Sequence, residues 1–301
     1  MTQIILKDGG SGQELIRRSS MPPHPLWSAK VMMEEPHHVQ AVHEAFIRAG
    51  AKLITLNTYT VTPERLEREG VAEMFAPLQA QAGDLVRRAM DAVGVEGVCV
   101  AGCLPPLHGS YRPDMTRSHD DLLPAYRVVA EAQAAHADVM LCETLSSISE
   151  ATAATQAGVE TGLPTYVAMT LNDDLSGTLR SGEPLEDALD ALEGMGQAGV
   201  LLNCSKPEVV SRNIHTLLAR GGVVGAYANG FTGIEALEIG GTVSGLKART
   251  DVTPEIYADY AMGWVEEGAR FVGGCCEVGP AHIAKLARCL LDAGHETVGN
   301  L

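Results

Sequence analysis

Three of the seven cysteines occur where they suit a metal site. Cys275 and Cys276 are adjacent and follow two glycines, and Cys204 comes at the end of a short apolar run. Adjacent cysteines do not readily bridge each other, whereas two neighbouring thiolates and a third from nearby can take three corners of a tetrahedron around zinc. Three protein ligands with an open fourth position are typical of catalytic zinc, so the pattern indicates a metal-activated thiolate substrate.

The alternative for any cysteine is ordinary burial, since the free thiol is among the most buried side chains. We prefer that interpretation for Cys103 and Cys142, although both could lie near the same site. Cys99 and Cys289 suit the core and helix packing. The adjacent pair at a Gly-Gly turn, with a third thiol from an earlier strand end, favours zinc instead.

The elements that must position these thiols form a repeating pattern. Short β-branched runs alternate with amphipathic segments along the whole chain, as in βα units around a parallel sheet. Clear helical patterns cover residues 37–49, 126–137, 148–158 and 254–267, the last with Thr253 as its N-cap. The predicted strands are residues 4–6, 53–56, 98–101, 139–141, 165–169, 200–202, 223–226 and 270–272. Eight such units predict an α/β fold of the (β/α)8 TIM-barrel type.

No linker composition divides the chain, so residues 1–301 are predicted to form one barrel domain. The glycine-rich stretch 229–250 is predicted to be an active-site loop or a subunit contact.

The net charge of −16 disfavours nucleic acid and anionic membranes as partners. The sequence has no apolar run of membrane-spanning length and no signal-peptide core, and seven thiols without an export signal suit a reducing compartment. A cytoplasmic protein is therefore expected.

Active sites of such barrels lie at the carboxyl ends of the strands. Polar or glycine residues follow four of the predicted strands there, and we take them as candidate substrate-binding residues: Asp8, Gly9, Gly10, Asn57, Thr58, Tyr59, Glu143 and Asn203. For Asp8 the alternative is a turn or helix-capping residue, and for Glu143 it is a salt bridge at the barrel end. Asn203 is predicted to orient the neighbouring Cys204. Tyr111, Arg112 and Asp114 lie on the long loop after the third strand, where a donor pocket could form, the alternatives being a packed tyrosine and a salt bridge within the loop.

With these residues in place, the chain resembles the zinc-dependent homocysteine S-methyltransferase family over nearly its whole length. The segments that carry the resemblance are LKDGGSGQEL at 6–15, LNTYTVTPERL at 56–66, GCLPPLHGSYRPD at 102–114, CETLSSISEA at 142–151, LLNCS at 201–205 and VGGCCEVGPAHI at 272–283. The resemblance implies that Cys204, Cys275 and Cys276 hold Zn²⁺. It also implies that Asp8 and Glu143 lie near the substrate ammonium. The backbone around Gly9 and Gly10 could approach the substrate carboxylate, since glycine permits close approach.

The expected reaction is methyl transfer from an onium donor to the thiol of L-homocysteine, giving methionine. S-methylmethionine is the preferred donor, with betaine or another sulfonium as alternatives. Glu277, Val278 and Gly279 follow the cysteine pair where the S-methylmethionine enzymes tend to carry Arg-Thr-Thr, so this segment does not fix the donor. The residues also leave open a different thiol or selenol acceptor, a corrinoid partner as donor, and a zinc-binding or redox-sensing protein without turnover. A homo-oligomer is left open as well.

Overall fold

All eight predicted strands are present in a computed structural model of the protein, which describes residues 1–234, 237, 242 and 245–301. Their bounds agree with the sequence predictions to within a few residues. In chain order the strands are β1 Gln3–Leu6, β2 Leu53–Thr55, β3 Cys99–Leu104, β4 Val139–Leu145, β5 Thr165–Met169, β6 Gly199–Asn203, β7 Val223–Tyr227, β8 Phe271–Val272 and β9 Glu296–Val298. The ninth strand was not predicted.

The parallel strands β2 to β8 follow one another in sequence order around the sheet, and β1 lies beside β8. The ring is completed between β1 and β2 by a parallel bridge from Lys7 to Leu53. Two backbone hydrogen bonds flank that bridge: Lys52 N donates to Leu6 O at 2.8 Å, and Asp8 N donates to Leu53 O at 2.9 Å. The predicted TIM-barrel fold is confirmed.

The additional strand β9 lies at the amino-terminal end of the barrel, where it pairs in parallel with β1. A side chain at Gly299 would meet Lys52 O at 2.4 Å and Cys99 Sγ at 2.7 Å, so the carboxyl-terminal segment fills the space between β1, β2 and β3. Tyr166 inside the barrel donates a hydrogen bond to Asn300 Oδ1 at 2.8 Å. The carboxyl-terminal residues therefore close the amino-terminal end of the barrel, which we call its lower end.

The helices alternate with the strands and form the outer layer. In chain order they are α1 Ser11–Arg18, α2 Trp27–Glu34, α3 Pro36–Arg48, α4 Pro63–Arg68, α5 Phe75–Val93, α6 His119–Ala134, α7 Ile148–Glu160, α8 Leu185–Leu192, α9 Pro207–Leu218, α10 Pro254–Glu267 and α11 Pro280–Asp292. The bounds of α10 are those predicted, and the Thr253 hydroxyl accepts a hydrogen bond from Ile256 N. Helix α6 begins seven residues before the predicted 126, because Ser118 caps it and accepts from Asp121 N.

Two apolar clusters stabilise this arrangement. One fills the space between the strands and the surrounding helices, and the other fills the barrel itself. The inner cluster takes every second residue of the strands, as the period of a β-strand requires. Its buried members are Ile5, Leu53, Ala101, Val139, Leu141, Tyr166, Ala168, Leu201, Tyr227 and Phe271.

The predicted loop 229–250 falls partly outside the described residues, which exclude 235, 236, 238–241, 243 and 244. Its described ends are paired with each other by a bridge between Phe231 and Ala248. Phe231 and Leu246 also line the cavity at the barrel mouth, so the described part belongs to the site. No helix in the described part of the chain is long and apolar enough to cross a membrane.

Candidate metal and substrate site

The three predicted thiol ligands converge at the carboxyl end of the barrel. Cys204 follows β6, and Cys275 and Cys276 follow β8. Cys204 Sγ lies 2.7 Å from Cys275 Sγ and 3.9 Å from Cys276 Sγ. All three sulfur atoms lie within 4.8 Å of one another, and they form a cluster that could hold a metal ion. Tetrahedral zinc with bonds of about 2.3 Å needs sulfur atoms about 3.8 Å apart. The distance between Cys204 and Cys276 already fits, and the sulfur atoms of Cys204 and Cys275 must move apart to admit the ion.

Backbone contacts from the residues after β7 hold the two thiol segments together. Cys275 N donates to Ala228 O at 3.0 Å, and Gly230 N donates to Cys276 O at 2.8 Å. The Asn229 side chain donates to Cys204 O at 2.8 Å. Cys204 itself has a left-handed backbone with φ of +51°. Sequence reasoning did not single out Asn229 as a site residue, although its position two residues after the end of a barrel strand was a signal.

The two glycines after β1 pack against the segment that carries Cys275 and Cys276. A side chain at Gly10 would meet Cys275 O at 2.6 Å, and one at Gly9 would meet Val278 O at 2.0 Å. The Gly10 amide donates to Val278 O at 2.9 Å. These positions therefore require glycine to let two loops approach each other, in addition to the predicted approach of a substrate.

A cavity at the barrel mouth brings most of the predicted residues together. The thiols of Cys204, Cys275 and Cys276 line it, and so do the predicted residues Gly9, Gly10, Asn57, Tyr59 and Glu143. Asp8, Thr58 and Asn203 are fully buried and lie outside its lining. The predicted set is thus divided between residues that can touch a ligand and residues that support them.

Glu143 is the buried carboxyl group of this cavity. Its two oxygens accept hydrogen bonds from the Cys103 thiol at 3.0 Å and from the Tyr227 hydroxyl at 3.2 Å. Burial raises the pKa of Glu143, and the nearby Lys7 ammonium opposes that rise. The Asn203 side chain makes both of its hydrogen bonds with Thr144, the residue after Glu143. Asn203 therefore orients the end of β4. Cys103, which we assigned to packing, therefore contacts a predicted site residue.

Aromatic side chains form the other walls of the cavity. The Tyr111 hydroxyl lies 2.8 Å from Cys204 Sγ. The rings of Trp27 and Tyr59 are parallel to within 7°, with centroids 6.2 Å apart. The Asn57 amide donates to Ser28 O at 3.1 Å and so joins the end of β2 to α2. The thiol cluster therefore lies beside an aromatic surface.

Polar side chains lie between the apolar inner cluster and the mouth of the barrel. They occupy the inward-facing positions nearest the carboxyl ends of β1 to β4. We call Lys7, Thr55, Cys103 and Glu143 the upper layer. Each is buried, the most exposed being Thr55 at 8%. Lys7 was not predicted as a site residue, although its position two residues after the inward-facing Ile5 of β1 was a signal that its side chain points into the barrel.

A barrel with a thiol cluster that could hold a metal ion, and with the buried carboxyl group of Glu143 in the cavity at its mouth, has the architecture of an enzyme that acts on a small substrate. The family model for homocysteine S-methyltransferase matches residues 5–290. The homocysteine S-methyltransferase of Escherichia coli is 32% identical over 94% of each chain. The chain belongs to the homocysteine S-methyltransferase family.

Two further comparisons agree. A solved structure of the metallated homocysteine methyltransferase from Escherichia coli superposes with a TM-score of 0.79 at 29% identity, covering 95% of this chain and 96% of the other. A mouse S-methylmethionine–homocysteine S-methyltransferase is 27% identical over 95% of this chain and 78% of its own length. The predicted family and fold are confirmed.

Proposed function

We propose that the protein transfers a methyl group from an onium donor to the thiol of L-homocysteine, giving methionine, with Zn²⁺ bound by Cys204, Cys275 and Cys276. The observation that carries this proposal is the convergence of three thiols on one wall of a cavity that also contains Glu143. Zinc is the metal we assign, since it prefers thiolate ligands and keeps an open position for substrate in catalytic sites. The metallated form of the relative supports a metal at this site.

Bound zinc would supply a Lewis acid that keeps the acceptor sulfur deprotonated at neutral pH. The chain's own residues position the metal ligands and bind the acceptor. The Tyr111 hydroxyl lies 2.8 Å from Cys204 Sγ and would donate to it once that sulfur is a metal-bound thiolate, which would fix one ligand. Glu143 offers its carboxylate to the acceptor's ammonium, because a buried cation needs a charged partner.

The remaining contribution is proximity. The cavity holds the acceptor sulfur beside the thiol cluster, and the donor methyl group must lie in line with it. The new bond joins that sulfur to the methyl carbon, and the bond between the methyl carbon and the donor's sulfur or nitrogen breaks with its electron pair. S-methylmethionine is the donor we propose, in keeping with the specificity named for the mouse relative. Betaine, or a sulfonium compound different from S-methylmethionine, is the alternative donor.

A different class of function would use the thiols for zinc storage or redox sensing without turnover. Glu143 favours the enzyme, because a store has no use for a carboxylate held in place by a thiol and a phenol inside a cavity. Glu143→Gln separates the two functions. The enzyme would lose homocysteine binding and keep its zinc, whereas a store would not change.

The test is zinc content measured together with methionine formation from homocysteine. The donors offered are S-methylmethionine, betaine, dimethylsulfoniopropionate and S-adenosylmethionine. One zinc per chain with turnover from any of these supports the proposal and chooses the donor. Absence of zinc binding under reducing conditions would refute the mechanism. A cytoplasmic location and a single domain over residues 1–301 stay predictions.

A further inference from the structure

A nearly buried arginine lies in the loop between β5 and α8, close to the mouth of the barrel. The side chain of Arg180 is only 7% exposed. The loop folds back on itself, with an antiparallel bridge between Leu171 and Leu179, and the Arg180 amide donates to Thr170 O at 3.3 Å. Arginine is almost never fully buried without partners, so the contacts of Arg180 call for an explanation.

Two polar side chains hold the guanidinium in place. Both terminal nitrogens of Arg180 lie 3.3 Å from Asp173 Oδ2, and its Nε donates to the Thr170 hydroxyl at 3.3 Å. The Asp173 side chain is only 9% exposed, and its other oxygen accepts from Lys206 N at 3.3 Å. Burial of an ion pair costs desolvation that can exceed its Coulombic gain. Stability alone therefore does not account for this pair.

The same guanidinium contacts the aromatic side chain that touches the thiol cluster. Its central carbon lies 5.4 Å from the centre of the Tyr111 ring, within the range of a cation–π contact. The Tyr111 hydroxyl lies 2.8 Å from Cys204 Sγ. The Thr170 hydroxyl, which accepts from Arg180, donates to Cys204 O at 3.2 Å. Arg180 thus contacts one side chain that reaches the sulfur of Cys204 and another that reaches its carbonyl.

The contact between the phenol and the thiol joins two residues with strained backbones. Tyr111 has φ of +57°, and Cys204 has φ of +51°. Such conformations persist at non-glycine residues only where neighbouring contacts hold them. The carbonyl of Cys204 is held by hydrogen bonds from Thr170 and Asn229. Among the described residues, Arg180 supplies the charged contact of the Tyr111 ring.

A cation and a hydroxyl donor both suit the surroundings of this thiol. A zinc ion has two positive charges, so three thiolate ligands give the centre a net negative charge, and a thiolate substrate adds to it. Donors aimed at the ligand atoms orient a metal site and tune it. Tyr111 can donate to Cys204, and Arg180 places a positive charge against its ring.

We propose that Arg180 is a positioning residue of the metal site, which holds the Tyr111 ring so that its hydroxyl stays on Cys204 Sγ. Asp173 and Thr170 in turn hold Arg180. The inference rests on the proposed function, because it takes the thiol cluster as the metal site. It adds a role for the loop between β5 and α8, from which the cluster takes no ligand.

The test is metal binding by the full-length protein, measured by chelator competition for zinc and by absorption of the cobalt-loaded protein. Tyr111→Phe should weaken zinc binding by about 10- to 100-fold, the usual effect of losing a group that orients a metal ligand. Arg180→Met keeps the apolar stem and removes the charge, so its loss should be about 10-fold, at the lower end of that range. Both variants should shift the thiolate-to-cobalt absorption band in the same direction, whereas a role in packing alone would leave the band in place.

A double variant shows whether the effect passes through the phenol. With Tyr111→Phe already present, Arg180→Met should weaken zinc binding by no more than about 3-fold, because no hydroxyl is left to position. The matched control is Arg220→Met. Arg220 follows α9 just before β7 begins, away from the mouth, and pairs with Asp190 of α8 at 2.6 Å. This variant should change neither the zinc affinity nor the cobalt band.

Losses that multiply in the double variant would overturn the proposal, since Arg180 would then act independently of Tyr111. A wild-type zinc affinity and cobalt band in Arg180→Met would overturn it as well. Circular dichroism shows whether each variant is folded.

If Arg180→Met does not fold, Arg180→Lys decides. Lysine keeps the charge but lacks the planar fork that contacts Asp173 and Thr170 together, so the cobalt band should shift in the same direction by a smaller amount. An unshifted band there would overturn the proposal. Zinc binding without methyl transfer from any donor would count against the proposed function, and the variants would still test Arg180. Absence of zinc binding by the wild type would overturn both.

Discussion

The two ends of the barrel interior are built from different chemistry. At the lower end, apolar side chains such as Tyr166 and Phe271 fill the space, and the carboxyl-terminal strand closes it. At the mouth, strands β1 to β4 end in the buried polar upper layer, and its members Lys7, Thr55 and Glu143 line a cavity together with the three thiols. Burial of polar groups costs stability that apolar packing does not, so the lower end stabilises the scaffold and the mouth holds the chemistry.

The backbone differs between the ends as well. Four non-glycine residues at the mouth have a left-handed conformation, with φ from +51° to +66°: Thr144 near the end of β4, and Tyr111, Cys204 and Glu277 in loops. Such conformations cost about 1 kcal/mol or more each and persist where the surroundings hold them. Each of the four is, or is next to, a residue of the site. Of the two other described non-glycine residues with positive φ, Trp27 also lines the cavity, and Leu175 lies between β5 and α8 outside it.

The largest effect should come from removing a thiol at the mouth. Cys276→Ala leaves two ligands, and methyl transfer should fall by at least about 100-fold, since loss of a group that merely supports a metal ligand already costs 10- to 100-fold. Zinc content and methionine formation measure it. The matched control is Cys289→Ala on helix α11, which should keep both. Full activity in Cys276→Ala would show that this thiol is not part of the reaction.

The contact between the β1 and β8 loops should be the next most sensitive feature. Gly10→Ala would place a methyl group 2.6 Å from Cys275 O, so the two loops must separate. We expect a loss of about 1–3 kcal/mol in the free energy of unfolding, as for overpacking of a core, together with weaker zinc binding. Urea unfolding and competition with a chelator measure the two effects.

The comparison variant is Gly263→Ala on helix α10, where a side chain meets nothing within 4 Å. It should stabilise the protein by about 0.5–1 kcal/mol, because alanine is a better helix former than glycine. If Gly10→Ala bound zinc and unfolded like the wild type, the tight packing of the two loops would not matter for the site.

The contrast between the ends also explains what sequence reasoning could reach. Eight strands and three thiols follow from local patterns, since alternation of apolar residues and adjacent cysteines are visible without a structure. Strand β9 was missed because three residues, of which Glu296 is exposed, carry no strand pattern of their own. Lys7 and Asn229 were missed because their roles depend on which loops face them across the barrel.

A third effect concerns pH. Glu150, in the first turn of α7 behind the mouth, is buried, and burial raises its pKa to about 7. The folded protein therefore holds this proton more tightly than the unfolded chain, and stability should decline as pH rises from about 4.5 to 7. Glu150→Gln should remove that part of the decline and stabilise the protein at pH 8 by about 3 kcal/mol at most. Urea unfolding at pH 5 and pH 8 checks both statements, and an equal pH dependence in the variant would contradict them.

The smallest effect should come from the lower end. Tyr166→Phe removes the hydrogen bond to Asn300 and keeps the ring against Phe271, whose centroid lies 5.3 Å away. The free energy of unfolding should fall by about 1 kcal/mol, the usual value of one buried hydrogen bond. Zinc content and methyl transfer should not change.

Tyr126 provides the matched comparison for that variant. It is equally buried, but its hydroxyl has no hydrogen-bond partner among the described residues. Tyr126→Phe should therefore be neutral or stabilising, since it removes a buried polar atom that gains nothing from the fold. The difference between the two tyrosine variants isolates the hydrogen bond that anchors the carboxyl-terminal segment. A loss of activity in Tyr166→Phe, larger than its loss of stability explains, would show that the lower end is coupled to the mouth and that the two ends are not independent.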